Sequence, residues 1–142
     1  MNETSCIRVE TGGPVSANEV VELFSALDWS SARFPERLGA ALAGSHGVWT
    51  LRDGDRLVGL VTAISDGAMC VYFPYVAVHP SYQGRGWGRR LMETALARYR
   101  GFHHVALISY GDKAGFYERV GFERDCEKAV LFARDEANAD RV

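Results

Sequence analysis

Residues 76–99 restrict the fold more than any other stretch: Val-Ala-Val-His-Pro-Ser-Tyr-Gln-Gly-Arg-Gly-Trp-Gly-Arg-Arg-Leu-Met-Glu-Thr-Ala-Leu-Ala-Arg-Tyr. They read as strand, turn, glycine-rich loop and helix. Tyr72 to Val78 is mostly aromatic and β-branched, which suits a buried strand. Pro80 ends it, because proline cannot donate a ladder hydrogen bond and biases His79 toward an extended conformation. Gly84, Gly86 and Gly88 follow at alternate positions. Leu91, Met92, Ala95, Leu96 and Tyr99 then recur at the spacing of one buried helical stripe.

A glycine-rich loop feeding a helix N-terminus attracts anions. Free N–H groups and the positive end of the helix dipole converge there, and missing side chains let a phosphate approach the backbone. Residues 85–100 hold five arginines against one acid, in a chain of formal net charge −2. A phosphorylated ligand is the economical reading. A Rossmann fingerprint is excluded, because the sixth position from Gly84 is Arg89 and no acid follows at about 20 residues. A P-loop is excluded because no Gly-Lys-Ser/Thr closes the loop.

The chain has 142 residues, 47% of them apolar and 24% charged. That is one domain of ordinary size, able to bury about two-thirds of its unfolded surface. No apolar run approaches the length of a membrane span, and the first residues lack the pattern of a secretory signal. Cys6, Cys70 and Cys126 have no metal spacing and read as free thiols of a cytoplasmic protein, Cys70 and Cys126 as buried fillers. No metal site is expected. The mildly acidic whole and the lack of a broad basic face argue against nucleic acid. A single domain over 1–142 is expected, with a polar tail from about Asp135.

In chain order, Cys6 to Val9 alternates as a first strand. Ser16-x-x-Glu19 forms a capping box ahead of a stripe of Val20, Val21, Leu23, Phe24 and Leu27. Pro35 suits a first helical position before Leu38, Ala41 and Leu42. Strands are expected over 47–52, 56–65 and 69–78, joined by turns at Asp53-Gly54 and Asp66-Gly67. After the central helix come a strand over 104–109, a short helix over 113–120 and a last strand over 128–134. The sum is β-α-α-β-β-β-α-β-α-β, an α/β mixed, largely antiparallel sheet with helices on both faces.

Gln83-x-x-Gly86-x-Gly88 between a strand and a helix resembles the acyl-CoA loop of the GNAT superfamily of N-acetyltransferases. Gly115-Phe-Tyr-Glu-Arg-Val-Gly-Phe122 resembles its second hallmark, Phe-Tyr-x-x-x-Gly-Phe. The element order matches as well, over roughly residues 6–134. The resemblance implies direct transfer of an acetyl group from acetyl-CoA to an amine, with the pantetheine arm held along Val76, Ala77 and Val78. It implies a pyrophosphate site at Gln83, Gly84, Arg85, Gly86, Trp87, Gly88 and Arg89, with Phe116 alongside. It also implies a backbone N–H near Val76 to polarise the thioester oxygen, and Tyr117 beside the leaving thiolate. Pro74 removes a ladder donor, so a bulge or splay is expected there.

With a thiol near ~8.5 and a tyrosine near ~10, full proton transfer from Tyr117 is uphill by about 2 kcal/mol, so a strong hydrogen bond is the expected contribution. By residue type alone Tyr117 reads first as a core aromatic packing with Phe116 and Phe122; the motif reverses that in favour of the functional role. Ser65 and Asp66, or a water chain, are candidates for deprotonating the acceptor, and Trp29 and Tyr75 for walling its pocket. A small-molecule amine is the leading acceptor. Acetylation of a protein N-terminus or lysine, and a non-catalytic acyl-CoA sensor, stay open. Dimerisation is common in this superfamily, and an exposed C-terminal strand would support a homodimer.

Overall fold

The computed structural model describes residues 6–136. Five strands form one sheet in sequence order: β1 (Ile7–Thr11), β2 (Gly47–Asp53), β3 (Arg56–Ser65), β4 (Cys70–Val78) and β5 (His104–Ala106). The first four pair antiparallel and β5 joins β4 in parallel. The helices are α1 (Ala17–Ala26), α2 (Pro35–Gly44), α3 (Trp87–Ala97) and α4 (Ala114–Arg119). Among the described residues no helix is long and apolar enough to cross a membrane.

Local chemistry sets most boundaries as expected. Ser16 Oγ accepts from Glu19 N–H while the Glu19 carboxylate accepts from Ser16 N–H, closing the capping box of α1. Pro35 occupies the first turn of α2, where its missing N–H costs nothing. Leu91, Met92, Ala95 and Tyr99 of the α3 segment pack on one sheet face with Trp49, Leu51, Val61 and Phe73. Val20, Leu23, Phe24 and Leu38 of α1 and α2 cover the other face, against Leu57, Leu60 and Ala77.

The C-terminal quarter departs from the expected order. β5 stops at Ala106 rather than residue 109, and 128–134 forms no strand. Val130, Leu131 and Phe132 are 55%, 89% and 50% exposed. An apolar run becomes a strand only when a sheet edge supplies its ladder, and the three-residue β5 is a short edge. Cys6, Cys70 and Cys126 are all exposed, correcting the reading of two of them as buried fillers. The polar tail expected beyond Asp135 falls mostly outside the described residues.

Arg52 is 8% exposed near the end of β2 and ties that strand to α1. Its guanidinium donates to Glu19 Oε2 at 3.3 Å and to the Pro14 carbonyl at 3.1 Å. The hydrogen bond from Arg52 holds the Glu19 carboxyl below its ordinary range. A depressed carboxyl contributes stability above its unfolded value of ~4.3 and loses it as pH falls through the folded value. Glu19→Gln is therefore expected to cost about 2 kcal/mol in urea unfolding at pH 7, a difference that shrinks as the buffer is taken below pH ~4.

Candidate active site

β4 carries one residue more than β3 at its middle. Tyr75 lies opposite Thr62 and Tyr72 opposite Ile64, so Phe73 and Pro74 together face Ala63. This is the expected bulge, placed where proline could not have donated to the ladder. The extra residue changes which face later side chains meet. Val71 and Phe73 pack on the α3 side, whereas Tyr75 and Ala77 pack on the α1–α2 side.

The same point ends the pairing with β5. The parallel ladder runs only from Cys70 opposite His104 to Tyr72 opposite Ala106. Beyond it, β4 continues to Val78 with β3 on one side only. His79 N–H donates to Val58 C=O at 2.8 Å. Main-chain groups alternate in direction along an antiparallel strand, so those of Ala77 and Tyr75 also face β3 and those of Val76 and Val78 face the open edge. The Val78 carbonyl accepts Gln83 Nε2 at 2.9 Å. The Val76 N–H and C=O and the Val78 N–H are left toward the splay.

The glycine loop lies at the end of this edge. Gly84 and Gly86 have φ of +76° and +85°, left-handed values that favour glycine. Gly86 caps α3 without a side chain, so the first N–H groups of the helix point outward unscreened. Arg85 lies 5.1 Å over the Tyr82 ring and donates to the Ser81 carbonyl at 2.6 Å. Arg89 is paired with Glu93 at 2.6 Å, and Arg90 lies 5.6 Å over the Trp87 ring.

Gly88 joins the two sequence motifs. A Cβ there would lie 3.3 Å from Phe116 Cζ and 3.4 Å from Val78 Cγ2. The missing side chain lets α4 lean against the start of α3 and the end of β4. Tyr117 follows, its ring 5.0 Å from Phe116 and 6.0 Å from Phe122. Burial pushes its hydroxyl above the ordinary tyrosine value, which widens its gap to a thiol.

On the α1–α2 side of the same strand is a cavity of about 350 Å³ walled by Phe24, Leu38, Leu42, Thr62, Pro74 and Tyr75 among others. A second, of about 190 Å³, shares Leu38, Ala41 and Tyr75 and adds Ser31, Phe34 and Arg37. Tyr75 stands between them and donates to Ser31 Oγ at 3.3 Å. Trp29 stacks behind, 4.9 Å from Phe24 and 6.3 Å from Tyr75, so it braces the wall rather than forming it.

Ser65 and Asp66 are not brought to the site. Ser65 pairs with Val71, five residues from Val76, or roughly 16 Å along the strand. Asp66 Oδ1 accepts from the N–H groups of Ala68, Met69 and Cys70 at 2.9, 2.8 and 3.1 Å, which hold its carboxyl below the ordinary range. Ser65 Oγ donates to Cys70 O and accepts from Gly67 N–H. Both residues build the hairpin turn, away from Val76. The reading from sequence also passed over Phe24, Leu38, Leu42 and Thr62 as wall residues. The one available signal was Thr62, a hydroxyl in the middle of an otherwise apolar strand.

The family profile described as an acetyltransferase (GNAT) domain matches residues 44–124. The serotonin N-acetyltransferase 2 of Oryza sativa subsp. japonica is 36% identical over 125 residues, covering 83% of this chain and 60% of the rice protein. The histone acetyltransferase TAP1 of Glycine max is 30% identical over 130 residues, covering 82% and 56%. The chain thus spans a little over half the length of these two curated relatives. A GNAT family protein from Streptococcus pneumoniae TIGR4 has a structure alike at a TM-score of 0.78 and 31% identity, covering 91% of this chain and 99% of the other.

If Gly88 sets the seat of α4, then Gly88→Val should loosen it. Amide hydrogen exchange is expected to quicken at 114–119 while 56–65 stays protected.

Proposed function

The chain belongs to the GNAT family of acetyltransferases, and from that premise we propose that it transfers the acetyl group of acetyl-CoA directly to a primary amine of a small molecule. The observation that carries this reading is the departure of β4 from β5 at Tyr72, which leaves the Val76 N–H and C=O and the Val78 N–H open above a glycine loop. The family uses acetyl-CoA, and the residues present suit it. The open edge can pair with an extended amide arm, and the loop and α3 N-terminus can take a pyrophosphate.

Each group then has a task. Gln83 orders the loop, Gly84 and Gly86 bring N–H groups close to the phosphates, and Arg85 and Arg89 add positive charge. Trp87 and Phe116 flank the entrance to α3. Val76 N–H is the donor to the thioester oxygen, a contact typically worth about 3 kcal/mol in a transition state. Tyr117 hydrogen-bonds the leaving sulfur. Its raised value makes it a donor that keeps its proton, so the thiolate is stabilised and then protonated from solvent. Apart from the Tyr75 phenol, no ionisable side chain among the described residues lines the larger cavity, so water takes the acceptor's proton. Outside the site, the exposed run at Val130, Leu131 and Phe132 supports self-association into a homodimer.

The test is release of CoA thiol from acetyl-CoA with a panel of amines and short peptides. A control without amine is needed, because the exposed cysteines would react with the thiol reagent. Turnover of a small amine supports the proposal; acetylation of peptides alone overturns it. Tyr117→Phe is expected to lower kcat by about tenfold or more with little change in acetyl-CoA affinity. For the wild type, kcat/KM should rise with pH up to the acceptor's own pKa and shift with that pKa across a series of amines. A rise fixed at one pH for all amines would instead reveal a protein base.

A further inference from the structure

Resting on the small-molecule reading above, we infer that the acceptor is an amine with an apolar body of aromatic size, and that Thr62 Oγ1 receives an N–H of its amino group. Among the described residues, none that lines the larger cavity carries a carboxylate, imidazole, ammonium or guanidinium group. A polycation would lose its hydration there without gaining a counter-charge, whereas a flat apolar group gains contact with Phe24, Leu38 and Tyr75.

Thr62 is the unusual member of that wall. It is 2% exposed, and its Oγ1 has no hydrogen-bond partner among the described residues. Buried hydroxyls are nearly always paired, so an orphan beside a cavity marks a place for a ligand's polar atom. Its position suits the attacking nitrogen. Thr62 lies directly opposite Tyr75, the neighbour of Val76, and its side chain is on the α1–α2 face with Leu60. Rotation about χ1 exchanges its hydroxyl and methyl between staggered wells, so the oxygen can turn to the cavity without backbone movement. Accepting an N–H from a neutral amine leaves the nitrogen lone pair free for the thioester carbon. The C–N bond then forms as the C–S bond breaks, the sulfur leaves with its electron pair, and the extra amine proton passes to water.

Thr50 supplies a built-in comparison. Its Oγ1 is also buried and unpaired, and it pairs with Leu60 on the same sheet face, but it does not line the cavity. Thr62→Val and Thr50→Val both replace an unpaired hydroxyl by a methyl of similar size, which leaves folding intact or improves it.

The experiment measures kcat/KM for 2-phenylethylamine, tryptamine, spermidine and kanamycin, with a histone-tail peptide alongside. The wild type is compared with Thr62→Val, Thr62→Ser and Thr50→Val, and each variant's melting temperature is recorded. The two aryl amines should lead the panel. Thr62→Val should lower their kcat/KM about fivefold or more, with acetyl-CoA KM and melting temperature held, while Thr62→Ser and Thr50→Val stay near wild type. Equal losses in Thr62→Val and Thr50→Val, or none in either, would overturn the role of Thr62. Faster turnover of spermidine or kanamycin would overturn the acceptor class while leaving small-molecule acetyl transfer standing. Acetylation of the peptide with no small amine accepted would overturn both.

Discussion

One extra residue in β4 underlies the rest of the structure. Phe73 and Pro74 share a single partner on β3, and the hydrogen-bonded ladder to β5 ends one residue earlier. A continuous β4–β5 ladder would satisfy every main-chain group along residues 73–78 and leave nothing for a ligand to pair with. A strand without the added residue would keep Tyr75 and Ala77 on the α3 side with Phe73. The bulge therefore does two things. It opens a polar edge, and it redirects the following side chains so that the aromatic wall of the cavity comes from the strand whose backbone forms the open edge.

This arrangement divides the work between the two faces. On the α3 side, backbone and arginines gather at the loop, and their charge is partly answered by Glu93 and by the Tyr82 and Trp87 rings. On the α1–α2 side the surface is apolar, and Tyr75 is braced from behind by Phe24 and Trp29. Only the width of one strand separates them. Gly88 lets α4 reach the junction, so Tyr117 arrives from a third direction without a long loop to position it.

Much of this was legible in the sequence because it is written locally. The capping box at Ser16, Pro35 in a first turn, the bounds of β3 and the glycine loop each depend on residues within a few positions of one another. The bulge at Pro74 was readable for the same reason, since a missing N–H is a property of one residue. What escaped depends on partners far along the chain. Residues 128–134 have the composition of a strand but no ladder. Asp66 has the chemistry of a base, yet three neighbouring N–H groups make it a turn cap. Phe24 and Leu38 read as ordinary helical core, and only the packing of α1 and α2 over the bulged strand leaves a cavity between them.

The Gln83 side chain clasps the Val78 carbonyl, a link between the loop and the strand end made by the chain itself. Loops that bind phosphates commonly lose conformational freedom when the ligand arrives, and that loss is subtracted from affinity. A loop tied to the strand by its own side chain gives up part of that freedom during folding instead. Binding should therefore carry only a small ordering penalty, and the binding heat capacity should report the apolar surface covered rather than refolding of the loop.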